Sequence, residues 1–142
     1  MKVIGVHLLS NNHDTDNKRF DTDSITGVKK LFQYLSNISN MSIRRGYDAK
    51  AIVSNLFDGP TIVMGDFNDV CGSKTLNILE NVGFKDAWWE GGLGYGATIH
   101  YPFPYRIDHI LYSGKLQLTE IMKIDANGLS DHDALVATFK WK

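Results

Sequence analysis

An acidic residue and an amide follow a short apolar run in the middle of the chain. The run Ile62-Val63-Met64 ends at Gly65, and Asp66 and Asn68 come directly afterwards. In an extended chain, side chains two positions apart point the same way, so Asp66 and Asn68 would lie side by side at a strand end. That arrangement suits holding a phosphate and its attacking water. An ordinary strand-to-turn exit explains the same residues, because Gly, Asp and Asn are turn formers.

Two later stretches carry groups suited to acid–base chemistry. Asp108 lies inside the apolar strand candidate 106–111, and His132 lies in the loop Gly128–Asp133. A buried carboxylate is costly unless it is paired, so Asp108 needs either its neighbour Arg106 or an imidazole. His132 is the natural general acid or base near neutral pH, and Asp108 is the natural group to orient it.

The elements that must position these groups follow from the spacing of apolar residues. Helices alternate with strands early and strands dominate late, which predicts an α/β fold with a mixed β-sheet and flanking helices. One helix begins near Asp23 or Ser24 and a second covers 44–57, while Ser73 caps a short helix. The extended segments are 3–9, 62–64, 84–89, 106–113, 117–124 and 134–141.

The predicted core positions of the two long helical stretches form stripes at helical spacing. They are Ile25, Val28, Leu31, Phe32, Leu35 and Ile38 in the first, and Ile43, Tyr47, Ala51 and Leu56 in the second. Arg44 and Arg45 are expected on a solvated face.

Composition excludes several classes of protein. The 142 residues are 43% apolar, which fits one domain, and the formal net charge of −1 gives no broad nucleic-acid footprint. Cys71 is the single cysteine, so no internal disulfide forms. No apolar run reaches the roughly 18 residues of a membrane helix. The glycine-rich stretch 91–96 lacks the Lys-Ser/Thr of a phosphate-binding loop, and we expect a flexible surface loop there.

Three motifs in order resemble the endonuclease/exonuclease/phosphatase superfamily, which has the DNase I-like fold. They are Gly65-Asp66-Phe67-Asn68, Arg106-Ile107-Asp108-His109-Ile110 and Ser130-Asp131-His132, and Val6-His7-Leu8 resembles a further histidine-bearing strand. The resemblance implies a metal-dependent hydrolase of phosphate esters, with Mg²⁺ or Mn²⁺ as cofactor. Its substrate would be nucleic acid, a phospholipid head group or an inositol phosphate.

The resemblance also implies a role for each matching residue. His132 would take the proton of the attacking water, Asp108 would orient the imidazole, and Asp66 would position the nucleophile. Asn68 and His7 would contact the phosphate, with His7 also near the leaving group. The implied catalytic residues are therefore His132, Asp108, Asp66, Asn68 and His7, and the implied metal ligands are Asp131 and Asp66. We expect His109 to be structural, and neither His100 nor His13 has a partner that the sequence identifies.

The chain departs from the family pattern in its length and in one ligand. The family domain is a four-layer sandwich about twice this size, and its first half supplies a metal-binding glutamate. Glu80, Glu90 and Glu120 are the only glutamates here, and none follows a strand in that way. We therefore expect residues 1–142 to form a single domain resembling the C-terminal half, a cloned piece or a truncated gene product. On its own it would bind metal weakly and show little or no activity.

Two alternatives to the hydrolase remain, and one protein partner is expected. A catalytically incomplete binding module, or pseudoenzyme, would keep the same fold. A rival enzyme would use Cys71 as nucleophile and His132 as base. A lone half also leaves one apolar sheet face uncovered, so a homodimer is expected through that face. The residues expected to populate the two faces of the sheet include Val3, Val6, Ile62, Met64, Ile110, Tyr112, Leu135 and Ala137. The sequence assigns no compartment.

Overall fold

The computed structural model describes residues 1–10, 25–100 and 104–142, and for 25–39 it describes the backbone only. Within these ranges the helices are α1 (Ile25–Ser54), α2 (Lys74–Glu80) and α3 (Ala87–Gly91). The strands are β1 (Lys2–His7), β2 (Thr61–Asp66), β3 (Lys85–Asp86), β4 (Asp108–Tyr112), β5 (Leu116–Ile124) and β6 (Ala134–Trp141). None of the helices in these ranges has the length and hydropathy needed to cross a bilayer.

The strands form a mixed four-stranded sheet and a separate hairpin. The sheet order is β1-β2-β4-β3, with β1 parallel to β2 and the other neighbours antiparallel. The two-stranded sheet is the antiparallel hairpin of β5 and β6. The predicted α/β class with a mixed sheet and flanking helices is confirmed.

Each face of the larger sheet packs against a different layer. One face lies under α1 and α2, where Val63, Phe67 and Leu111 join Leu76 and Leu79 in a buried cluster. The opposite face lies under the hairpin, and its members are Ile62, Ile110, Tyr112 and Leu116, with Leu135, Ala137 and Phe139 packed against them. The alternation of side chains along each strand separates the two apolar sets.

One continuous helix replaces the two predicted helical stretches. Gly46 does not interrupt α1, and the buried residues of its described part are Arg45, Gly46 and Ala49, with Ile52 and Val53 packed on the core. Ile43, Tyr47 and Ala51 are exposed, so the predicted phase of this stretch was wrong. The buried face of α1 is therefore rotated relative to the predicted one. It includes Arg45, whose side chain forms a buried salt bridge with Asp69. The residues of the first stripe lie in α1, but their side chains are outside the described part of the structure, as are both predicted capping residues, Asp23 and Ser24.

The segment after α2 also differs from expectation. The Ser73 cap is confirmed, and Gly83 has the positive φ expected after a helix. The predicted extended piece 84–89 is instead a two-residue strand followed by α3, because the Asp86 carboxylate accepts the backbone N–H groups of Trp88 and Trp89.

The glycine-rich stretch packs closely around a buried tryptophan. Trp88 is 6% exposed and its Nε1–H donates to the carbonyl of Gly94. A Cβ on Gly92 or Gly96 would come within 2.4 or 2.2 Å of the indole ring. The stretch lies at the surface as expected, with Leu93 and Tyr95 exposed. Sequence alone did not indicate that Gly92 and Gly96 are required by close packing on Trp88.

The hairpin covers much of the sheet face that was expected to be open. Ile62, Ile110 and Tyr112 are buried beneath it. On the same face, Val3 in the edge strand β1 and Met64 in the neighbouring β2 remain 51% and 42% exposed. The uncovered area is therefore smaller than predicted and lies at one edge of the sheet.

Candidate functional site

Three neighbouring strands align their polar residues in one row. His7 of β1 is the register partner of Asp66 in β2, and Asp66 is the register partner of Asp108 in β4. Residues in register on adjacent strands project to the same face, so the row lies on the hairpin side of the sheet. Gly65 makes this register attainable, because a Cβ there would lie 2.0 Å from the carbonyl oxygen of Val6.

The loop that joins β5 and β6 brings His132 to the end of this row. His132 Nδ1 lies 2.8 Å from Asp108 Oδ2, and both side chains are about a quarter exposed or less. The His132 backbone N–H donates to Ser130 Oγ, and an isolated β-bridge joins His132 to Ile99. A carboxylate only accepts, so neutral His132 carries its proton on Nδ1 and keeps the basic lone pair on Nε2.

Asp66 and Asn68 form a tight local pair. Asp66 Oδ1 accepts the Asn68 backbone N–H at 2.7 Å, and Oδ2 accepts Asn68 Nδ2 at 3.0 Å. Asn68 Nδ2 also donates to the Leu8 carbonyl at 2.9 Å, and Asn68 itself has φ +50°. Both amide hydrogens therefore face protein acceptors. Asn68 here orients Asp66, whereas the resemblance implied a donor directed at the phosphate.

His7 stands at the open end of the row. Its Nε2 is 3.6 Å from Asp66 Oδ2, and its side chain is 76% exposed. The distance is too long for a hydrogen bond but short enough for charge interaction with Asp66. The five residues implied as catalytic thus lie together, with His7 the most accessible to a ligand.

The charges of the row shift the pKa values of two of its members. Burial raises the pKa of Asp66 above its usual range, against the hydrogen bond from the Asn68 backbone, and the nearby charge of Asp108 adds to the rise. Burial disfavours protonated His132, but the hydrogen bond and charge of Asp108 outweigh burial, and the net pKa of His132 is raised. Asp66 and Asp131 add smaller charges in the same direction.

The two implied metal ligands do not make a complete site. Asp131 is exposed beside His132, and both oxygens of Asp66 already accept from Asn68. Among the described residues, no group of three or more His, Cys, Asp and Glu side chains is placed to hold a metal ion. The donors of this part of the chain therefore do not fit a resident Mg²⁺ by themselves.

Sequence reasoning missed a buried polar cluster behind the row. Arg106 pairs with Asp86, its Nη1 lying 2.7 Å from Asp86 Oδ2, and the alternative pairing of Arg106 with Asp108 does not form. His109 contacts both members of the pair. A lone Asp86 ahead of two tryptophans gives no sequence signal for a partner twenty positions away.

His100 and Arg45 have partners that the sequence did not identify. His100 Nε2 is 2.8 Å from Asp133 Oδ2, and Lys123 donates to the same carboxylate. Arg45, expected on a solvated face, is 1% exposed and lies 3.3 Å from Asp69. Cys71 is half-buried against the helix-side core, and His13 lies outside the described residues.

Comparison with known proteins places this geometry in context. The model of the "Endonuclease/Exonuclease/phosphatase family" matches residues 9–132. No curated protein matches the sequence significantly.

Solved structures similar to the chain share its fold at low identity. A Bacteroides vulgatus endonuclease/exonuclease/phosphatase is 21% identical with a TM-score of 0.61, covering 71% of this chain and 45% of its own. A functionally unknown conserved protein from Enterococcus faecalis is 24% identical with a TM-score of 0.60, covering 71% and 46%. A 3′ phosphatase from Neisseria, bound to product DNA hairpin, is 17% identical with a TM-score of 0.56, covering 98% and 61%. The chain thus spans about half the length of the first two.

The contact between Asp108 and His132 predicts a measurable pH effect. Because Asp108 favours the protonated imidazole, this contact stabilises the fold at pH values below 6.5 and the stabilisation is lost as pH rises through the higher folded pKa. Asp108→Asn should lower the pKa of His132 in an NMR titration of the histidine ring protons. The control is Asp58→Asn, which removes an exposed carboxylate in the turn before β2, at the end of the strand opposite Asp66. It should leave the pKa of His132 unchanged. An unchanged His132 pKa in Asp108→Asn would contradict the assignment.

Proposed function

We propose a phosphate-ester hydrolase function from one premise, that this chain belongs to the endonuclease/exonuclease/phosphatase family. Members of that family are hydrolases of phosphoesters. The observation that carries the proposal for this chain is the contact of 2.8 Å between His132 and Asp108, next to Asp66 in the adjoining strand. A base held by a carboxylate, beside a second carboxylate, is a recognised device for activating water.

The proposed reaction is an in-line displacement at phosphorus. His132 Nε2 removes a proton from water as the new O–P bond forms, and the bond from phosphorus to the leaving oxygen breaks on the opposite side. Asp108 holds the imidazole tautomer and stabilises the imidazolium. Asp66 accepts a hydrogen bond from the attacking water and so positions it. His7 provides a cation or a proton near the phosphate and the leaving oxygen.

The extent of the domain is a second part of the proposal. Residues 1–142 form a single domain equivalent to the C-terminal half of the family fold. The 45% and 46% coverage of two neighbours supports an extent of about half of the family fold. A complete ligand set for the Mg²⁺ or Mn²⁺ implied by the family then requires groups beyond Asp66 and Asp131.

The incomplete ligand set favours one alternative function. A binding module, or pseudoenzyme, would retain the row from His7 to His132 and bind phosphate esters without hydrolysing them. The hydrolase requires turnover when this chain is completed by a preceding half of the domain, whereas the binding module predicts none. The substrate class is a nucleic acid, a phospholipid head group or an inositol phosphate. The Neisseria neighbour, with its DNA product, favours testing nucleic acid 3′ phosphates first.

Catalysis should depend on the row and be independent of the cysteine. In this chain joined to a preceding half of the domain, His132→Ala and Asp66→Ala should each reduce turnover at least about a hundredfold, because each loses a positioned proton acceptor. The assay is hydrolysis of chromogenic phosphodiesters and phosphomonoesters with Mg²⁺. Cys71→Ser is the control and should stay within a few fold of the parent. If Cys71→Ser abolished turnover and His132→Ala did not, the cysteine would be the nucleophile.

Metal affinity should be low in the chain alone. Mg²⁺ dehydrates reluctantly and needs several oxygen ligands in a near-octahedral arrangement, which Asp66 and Asp131 do not supply. Titration calorimetry should give a dissociation constant of about 1 mM or weaker, at the weak end of protein sites for hard divalent cations. Asp131→Asn should reduce the residual binding further. Micromolar affinity in the 142-residue chain would contradict the incomplete ligand set.

The exposed sheet edge supports the proposed homodimer. β1 is the outer strand of its sheet. Val3 in β1 and Met64 in the adjoining β2 are exposed, so a second copy would cover both. Light scattering at micromolar concentration should detect a dimer, and Val3→Lys should convert it to the 16.0 kDa monomer. Val136→Lys introduces the same charge at a site of similar exposure on the outer face of the hairpin, and should leave the dimer intact. A monomeric parent chain would refute this association.

A further inference from the structure

We propose that His109 is a positioning residue that holds the turn carrying Asp66 and Asn68 from the opposite face of the sheet. The inference rests on the proposed function, because it assigns that turn a role in catalysis. His109 follows Asp108 in β4, so its side chain projects away from the row and toward the helix side. It is 1% exposed there.

His109 contacts both residues that flank Asn68. Its Nε2 is 3.0 Å from the backbone oxygen of Asp69, and its ring meets Phe67 edge-on, with centroids 5.4 Å apart and planes at 85°. The backbone N–H of Phe67 donates to the carbonyl of Ile107, the residue that immediately precedes β4. The turn is therefore attached on both sides of Asn68 to β4 or to the residue that leads into it.

The Asp69 carbonyl determines that Nε2 of His109 carries a proton. A carbonyl oxygen only accepts, so Nε2 must be the donor to Asp69. On the other side of the ring, Nδ1 faces the buried ion pair, 2.7 Å from Arg106 Nη1 and 3.0 Å from Asp86 Oδ2. The same Arg106 nitrogen lies 2.7 Å from Asp86 Oδ2. Arg106 and Asp86 thus hold the ring in the orientation that presents Nε2–H to the turn.

The other side of the turn is attached to the helices. Asp69 accepts the hydroxyl of Thr75 at 2.7 Å and lies 3.3 Å from Arg45. Asn68 keeps a left-handed backbone conformation with φ +50°, which is unfavourable for residues that carry a side chain, although asparagine adopts it more readily than most. Such a conformation persists where contacts from several sides hold it in place. His109 provides contacts on the side of β4, to Asp69 and Phe67.

A pair of polar substitutions separates positioning from general packing. The side-chain amide of His109→Gln reaches the place of Nε2 and keeps a donor for Asp69, whereas the shorter His109→Asn reaches only the place of Nδ1. The readout is hydrogen exchange at the Asn68 amide, whose N–H donates to Asp66 Oδ1. The reference is the Ser113 amide, which donates to Thr61 at the far end of the same strand pair.

We expect His109→Asn to accelerate exchange at Asn68 by about tenfold or more relative to Ser113, the scale of one lost hydrogen bond, and His109→Gln to restore most of the protection. Equal acceleration at both amides, or identical behaviour of the two variants, would overturn the proposal and leave His109 as a packing residue. The measurement uses the chain without substrate. An absence of hydrolase activity would therefore refute the proposed function without changing this result.

Discussion

The close approach of β1 and β2 at Gly65 is the constraint on which the site depends. Gly65 has φ +137°, and the carbonyl of Val6 occupies the space where any Cβ would lie. A side chain at this position would push β1 outward or shift its register by one residue. Either change would separate His7 from Asp66, because a shift of one residue turns every side chain to the other face. The row of polar groups therefore depends on the absence of a side chain at one position.

The hairpin links stability to the arrangement of the site. Its inner face buries Ile62, Ile110 and Tyr112, and its connecting loop carries His132 to Asp108. Burial of each such side chain contributes roughly 1.5–3 kcal/mol, so the three together contribute more than one hydrogen bond to a charged group, itself worth roughly 1.5–3 kcal/mol. Docking of the hairpin thus contributes more free energy than the contact between His132 and Asp108. That contact determines the final position of the loop.

Local patterns in the sequence predict much of this arrangement. Alternating and continuous apolar runs predict β1, β2, β4, β5 and β6, and the cost of a buried carboxylate predicts that Asp108 requires a partner such as His132. The Ser73 cap is equally local. The phase of α1, the helix after Asp86 and the packing of glycines on Trp88 were not predicted, because each depends on contacts between segments whose approach only the fold determines.

The two buried arginines show why a charge in sequence is a poor guide to its place in the fold. An isolated buried cation costs several kcal/mol, so burial requires an acidic partner at close range. Arg45 meets Asp69 across 24 positions and Arg106 meets Asp86 across 20, spacings that no helical or strand periodicity encodes. Both pairs act on the same short turn, Arg45 through the Asp69 side chain and Arg106 through His109. Replacing Asp86 would leave the buried Arg106 without its acidic partner. The His109 ring, which contacts both members of that pair, would then lose a contact that orients it toward the turn carrying Asp66.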